Sequence, residues 1–103
     1  MKFKSATVIA AFFLIFTSCG EKTAIVESGT YQGIIDEVEP AKTEIYVRIQ
    51  DDKILELYFN ENTSLTRNGE TIDFSVLEEG QNVEVEVKKT GKRLDPISVK
   101  ILE

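Results

Sequence analysis

The chain contains no histidine, and its single cysteine is Cys19. Those two counts remove most routes to catalysis at neutral pH. Activated cysteine and Ser-His nucleophiles need an adjacent base, and zinc sites draw chiefly on His and Cys. Carboxylates are what remain. Asp51 and Asp52 are sequence neighbours, as are Glu78 and Glu79, so the members of each pair tend to diverge. Glu84 and Glu86 share one face of an alternating segment, with Lys88 next in the row. They stand roughly 7 Å apart along a strand, and a solvated face accounts for them. No Asp-x-Asp-x-Asp-Gly spacing is present to build a calcium loop. The expectation is a protein that is not an enzyme, with no cofactor and no resident metal.

Two clusters have the chemistry of binding. Tyr46, Arg48, Glu56 and Tyr58 fall on the polar side of two alternating segments, and Tyr and Arg are the residue types that dominate binding hot spots. The same side chains also stabilise a sheet as cross-strand pairs, at about 0.2–1 kcal/mol each. Lys88, Lys89, Lys92 and Arg93 gather near one turn. That basic patch suits lipid phosphates or an acidic partner, or serves only to protect a sheet edge.

Charge narrows the partners. All eighteen acidic residues lie after position 18, against ten basic ones in the same stretch. Such an acidic chain is a poor match for nucleic acid, whose affinity comes largely from neutralised phosphates. Without tryptophan the Tyr46 and Tyr58 face is also a poor platform for sugars.

These clusters must be positioned by strands, because five apolar-alternating segments are separated by turn chemistry. The first is Thr30 to Glu39, ended by Pro40, with Gly33 at a place where strands bend or bulge. The second, Thr43 to Gln50, puts Ile45, Val47 and Ile49 on one face; the third, Ile54 to Phe59, groups Leu55, Leu57 and Phe59. A three-residue loop, Asp51 to Lys53, would pair Ile49 with Leu55, Val47 with Leu57 and Ile45 with Phe59. Arg48 then faces Glu56, and Tyr46 faces Tyr58. Asn68-Gly69 signals a tight hairpin, and Asp73 to Gly80 a short helical turn. The fourth segment buries Val83, Val85 and Val87; the fifth alternates Ile97, Val99 and Ile101, with Pro96 marking an edge or bulge.

The N-terminus reads differently. Lys2 and Lys4 precede an eleven-residue apolar run, Ala6 to Phe16, which is the secretory pattern. At about 1.5 Å per residue that run covers only half of a ~30 Å hydrocarbon core. Phe16-Thr17-Ser18-Cys19 resembles the lipobox of bacterial lipoproteins, which implies a cleaved signal peptide at 1–18 and an acylated Cys19. Ordinary cleavage after Gly20 is the alternative. The resemblance implies a lipid anchor in the bacterial envelope, with the outer membrane favoured because Gly20, not Asp, follows the cysteine. Residues 19–29 then form the anchor and a tether, unless Ile25 and Val26 dock as a short edge strand.

Residues 30–103 resemble the OB-fold, a small five-stranded barrel, here with a short helical turn before its fourth strand. Gly33-Ile34-Ile35 together with Leu77 to Val85 is similar to small bacterial envelope domains of unknown function. An SH3-like barrel or a small β-sandwich is the alternative. OB-folds present ligands on the outer face of their second and third strands, which here carries Tyr46, Arg48, Glu56 and Tyr58. The expected function is therefore a membrane-anchored, non-catalytic module that docks a protein partner of the envelope. The alternative is a small-ligand or cation binder, for instance of a glycan fragment or calcium.

Overall fold

The computed structural model describes residues 23–102; the expected signal peptide, Cys19 and the last residue lie outside them. Strand β1 (Gly29–Glu39) is shared between two neighbours. Its first half, Gly29 to Ile34, pairs with β6 (Asn82–Thr90), and its second half, Ile34 to Glu39, pairs with β2 (Glu44–Arg48). The strand has to bend where it changes partner. Gly33 sits at that point, and a Cβ there would overlap the Arg48 carbonyl oxygen and come within 2.9 Å of Val47 Cγ1. Only a residue without a side chain lets β2 approach this closely. The extra residue of the strand is Asp36, skipped between the Ile35–Val47 and Glu37–Tyr46 pairs.

Pro40–Lys42 form one 3-10 turn that leads into β2. Strand β3 (Ile54–Tyr58) then pairs antiparallel with β2. The loop between them has the expected three residues but begins one position early. Ile49 N–H donates to the Lys53 carbonyl at 2.8 Å, leaving Gln50, Asp51 and Asp52 as the loop, with both aspartates in the left-handed region. The ladder is displaced accordingly: Val47 faces Leu55 and Ile45 faces Leu57. A two-residue displacement keeps every side chain on its own face, so the burial pattern alone did not detect it.

After a break, β4 (Ser64–Arg67) runs parallel to β7 (Arg93–Ile101) and pairs with the two-residue β5 (Glu70–Thr71). Asn68 and Gly69 make the turn between them with φ of 54° and 83°, the pairing that Asn-Gly favours. Beyond β5 the expected helical segment reduces to one 3-10 turn, Phe74–Val76. Asp73 caps it, accepting from Ser75 N–H at 3.3 Å and Ser75 O–H at 2.8 Å. Phe74 meets Phe59 edge to face at 5.0 Å, and Leu77 is buried behind it.

Strand β6 buries Val83, Val85 and Val87 as its alternation predicts. Strand β7 departs from its expected pattern. Glu86 faces Ser98 but Val87 faces Pro96, so Ile97 is a bulged extra residue. It lies on the outside, 41% exposed, and Leu94, Val99 and Ile101 supply the buried positions. The bulge sits beside Pro96, which has no N–H to give to the ladder.

The seven strands form one sheet in the order β3-β2-β1-β6-β7-β4-β5. The sheet curls until β3 lies against β7, and Phe59 to Thr63 carries the chain from the β3 edge to β4. The ladder itself does not close. Ile35, Ile45, Val47, Leu55, Leu57 and the valines of β6 fill the interior. Before β1, Thr23 bridges Ile54, Ala24 N–H donates to the Ile54 carbonyl at 2.8 Å, and Val26 packs on the core. Among the described residues no helix is long and apolar enough to cross a membrane.

Candidate functional site

The outer face of β2 and β3 is set by alternation. With Ile45 and Val47 turned inward, Glu44, Tyr46 and Arg48 must turn outward, and across the ladder Tyr58, Glu56 and Ile54 stand opposite them. Tyr46 therefore faces Glu56 and Glu44 faces Tyr58. The expected Arg48–Glu56 and Tyr46–Tyr58 pairs do not form, for the register reason given above. Arg48 instead turns toward the β1 bulge and the loop, at 3.2 Å from Asp36 and 3.7 Å from Asp52. The structure thus brings together Tyr46, Glu56 and Tyr58 and engages Arg48 with other carboxylates.

The centre of the face is a residue absent from the sequence-based set. Glu44 is 0% exposed, the one charged side chain in the buried set among the described residues. Neither of its carboxylate oxygens makes a hydrogen bond. Glu56, Tyr58 and Tyr46 nonetheless lie near enough to act on its charge. The Tyr58 hydroxyl has one hydrogen, and donates it to Glu56 Oε2 at 3.0 Å, so it has none left for Glu44. Glu44 was legible in principle: stepping back by two from Arg48 and Tyr46 along the outward row leads to it.

The electrostatics follow from this crowding. Burial pushes the Glu44 carboxyl above the ordinary carboxylate range, and the neighbouring Glu56 adds to the effect. Tyr58 is pushed up to about 12, first by its hydrogen bond to Glu56 and then by its interaction with Glu44. Tyr46 rises further, through burial and the same two carboxylates. On the β1 side, Glu39 is the ladder neighbour of Glu44, and Glu37 that of Tyr46. The face is therefore rich in negative charge.

The other candidates are arranged differently. Lys89 reaches Glu27 at 3.3 Å, and its N–H donates to Ser28 Oγ at 2.8 Å, fastening the segment before β1 to the last hairpin. Arg93 pairs with Asp95 at 3.0 Å on its own strand. Lys92 lies at the exposed tip, and Lys88 is exposed within the ladder opposite Asp95. Glu84 faces Lys100 at 3.8 Å, and Glu86, Glu78 and Glu79 are exposed. Among the described residues no three acidic, histidine or cysteine groups stand close enough to cage a metal. An open groove of about 430 Å3 separates Ala24 to Glu27 from the Ile49 to Lys53 loop, and a second of about 440 Å3 lies beside Asn68 and Leu102. Neither includes the Glu44 face.

Comparison with protein-family models and with curated proteins yields no match. Comparison with solved structures does. The fold resembles that of CusF from Escherichia coli. The silver-bound form has a TM-score of 0.58 at 10% identity, covering 75% of this chain and 94% of that one. The apo form has a TM-score of 0.57 at 8% identity, covering 86% and 100%, and a Cu(II)-bound variant a TM-score of 0.57 at 10% identity. At such low identity the likeness concerns fold alone: this chain is a small all-β, OB-fold-like barrel. Function has to be argued from the site.

Proposed function

We propose that the chain is a lipid-anchored, non-catalytic binding module of the bacterial envelope, and that the outer face of β2 and β3 binds a cation. The observation that carries this reading is Glu44, a carboxylate sealed from water with both oxygens unpartnered. Buried polar groups without partners are rare and costly, at about 1–3 kcal/mol. Glu56 beside it, with Glu39 across the ladder on β1, makes a positively charged ligand the natural complement. The anchor rests on Cys19 and the apolar run before it, and the outer membrane on Gly20 at the next position. CusF, similar in fold, is known in silver- and copper-bound forms, and an ion-binding role is compatible with a barrel of this shape.

Thermal unfolding with and without inorganic and organic cations tests the proposal. A ligand at 100 times its dissociation constant adds ~2.7 kcal/mol, so a bound cation raises the Tm of the wild type and leaves Glu44→Gln unmoved. Equal response in both proteins removes Glu44 from the site.

Protein docking on the same face is a second reading, favoured by Ile34 and Tyr58, which are 48% and 46% exposed. A crosslinked pull-down from native envelope, comparing wild type with the Tyr46→Ala, Arg48→Ala, Tyr58→Ala triple variant after a folding check, tests it. Recovery of a partner by wild type alone supports docking there, and equal recovery removes it.

A further inference from the structure

Resting on the cation-binding reading above, we infer that Glu44 and Glu56 together ligate a hard, largely hydrated divalent cation of the magnesium and manganese kind, with Tyr58 as the residue that orients Glu56. Three observations set the ligand class. First, soft ligands are missing. The chain has no histidine, and Met1 and Cys19 are its only methionine and cysteine, so the described barrel offers oxygen donors alone. Carboxylate, phenol and water oxygens select hard cations over copper or silver. Second, the number of carboxylates is small. Among the described residues no third acidic, histidine or cysteine group completes a metal-holding cluster with Glu44 and Glu56. Calcium takes six to eight oxygen ligands, whereas magnesium keeps several waters and is held through one or two carboxylates. Third, charge favours a small dication over an ammonium or guanidinium group. Two neighbouring carboxylates, Glu44 opposite Tyr58 and Glu56 held by that tyrosine, match the two charges of a dication.

Tyr58 fits an orienting role. Its hydroxyl holds Glu56 Oε2 at 3.0 Å, and partners that fix a ligating carboxylate typically contribute 10–100-fold in metal affinity. It is also 46% exposed and stands opposite Glu44 on the edge strand β3.

The test is isothermal titration of the purified chain at neutral pH with magnesium, manganese, calcium, silver and n-butylammonium salts. Wild type is compared with Glu44→Gln, Glu56→Gln and Tyr58→Phe, each checked for fold by circular dichroism. Expected are one site for magnesium or manganese, its loss in both Gln variants, and an affinity about tenfold or more weaker in Tyr58→Phe. Tighter binding of calcium or silver than of magnesium and manganese overturns the coordination argument. Butylammonium binding without metal binding overturns this inference but leaves the broader cation reading standing. No binding by any cation overturns both. Persistence of metal binding in Glu44→Gln places the ion elsewhere and refutes the site.

Discussion

Replacing Glu44 by glutamine tests the physics of the face before any ligand is known. The carboxylate is enclosed with no hydrogen bond to either oxygen. Leaving a buried polar group unsatisfied costs about 1–3 kcal/mol, more when it is charged. Glutamine keeps the shape, discards the charge and adds two donors toward Glu56. The variant should therefore be more stable than wild type by about 1–3 kcal/mol at pH 8, which for a domain of this size is a Tm increase of roughly 4–8 °C per kcal/mol. The sign depends on pH. The folded-state pKa of Glu44 is raised above the value of 4.5 expected unfolded. Below pH 4.5 both states carry the proton and the penalty is absent. Above it the unfolded chain ionises first, so wild-type stability falls, by at most about 1.4 kcal/mol per pH unit, until the folded pKa is passed. Urea unfolding of both proteins from pH 4 to pH 8 reads the difference directly. It should grow with rising pH and then level off. A difference that is flat across this range, or a glutamine variant less stable than wild type at pH 8, refutes the reasoning.

Other perturbations separate fold from face. Gly33→Ala places a methyl against the Arg48 carbonyl and should cost about 1–3 kcal/mol or more in urea unfolding, as overpacking does. Leu57→Ala, at a position 0% exposed, should cost about 2–5 kcal/mol, whereas Arg48→Ala should cost under about 1 kcal/mol because its ion pairs are solvated. Cys19→Ala should move the chain from the detergent phase to the aqueous phase in a phase-partition assay of cell extracts, since two or more acyl chains are needed for lasting attachment.

The inner half of this fold was readable because strand burial has period two. Val83, Val85 and Val87, Ile45 and Val47, and Leu55 and Leu57 announce themselves by alternation, and Asn68-Gly69 by its turn chemistry. Register was less readable. Sliding β3 by two residues against β2 keeps every apolar side chain inside, and the choice between the two registers was made by Asp51 and Asp52 adopting left-handed backbone in a loop that starts at Gln50. That slide decides the candidate site, since it brings Tyr58 opposite Glu44 and removes Arg48 from Glu56. Ile97 departs from its expected inward position because a bulge beside Pro96 breaks the alternation of β7. The place of Glu44 in the outward row is readable but its burial is not, because a carboxylate at a strand start is ordinarily solvated and its enclosure arises from tertiary neighbours.

The most direct test of the central claim is an amide nuclear magnetic resonance titration of the 15N-labelled chain with magnesium, which reports where a cation acts as well as whether it binds. The account predicts saturable shifts concentrated at Glu44, Tyr46, Glu56 and Tyr58 and abolished by Glu44→Gln. Shifts centred on the Lys88 to Arg93 hairpin or on the Ala24 to Glu27 groove, or no saturable shifts at all, would contradict it.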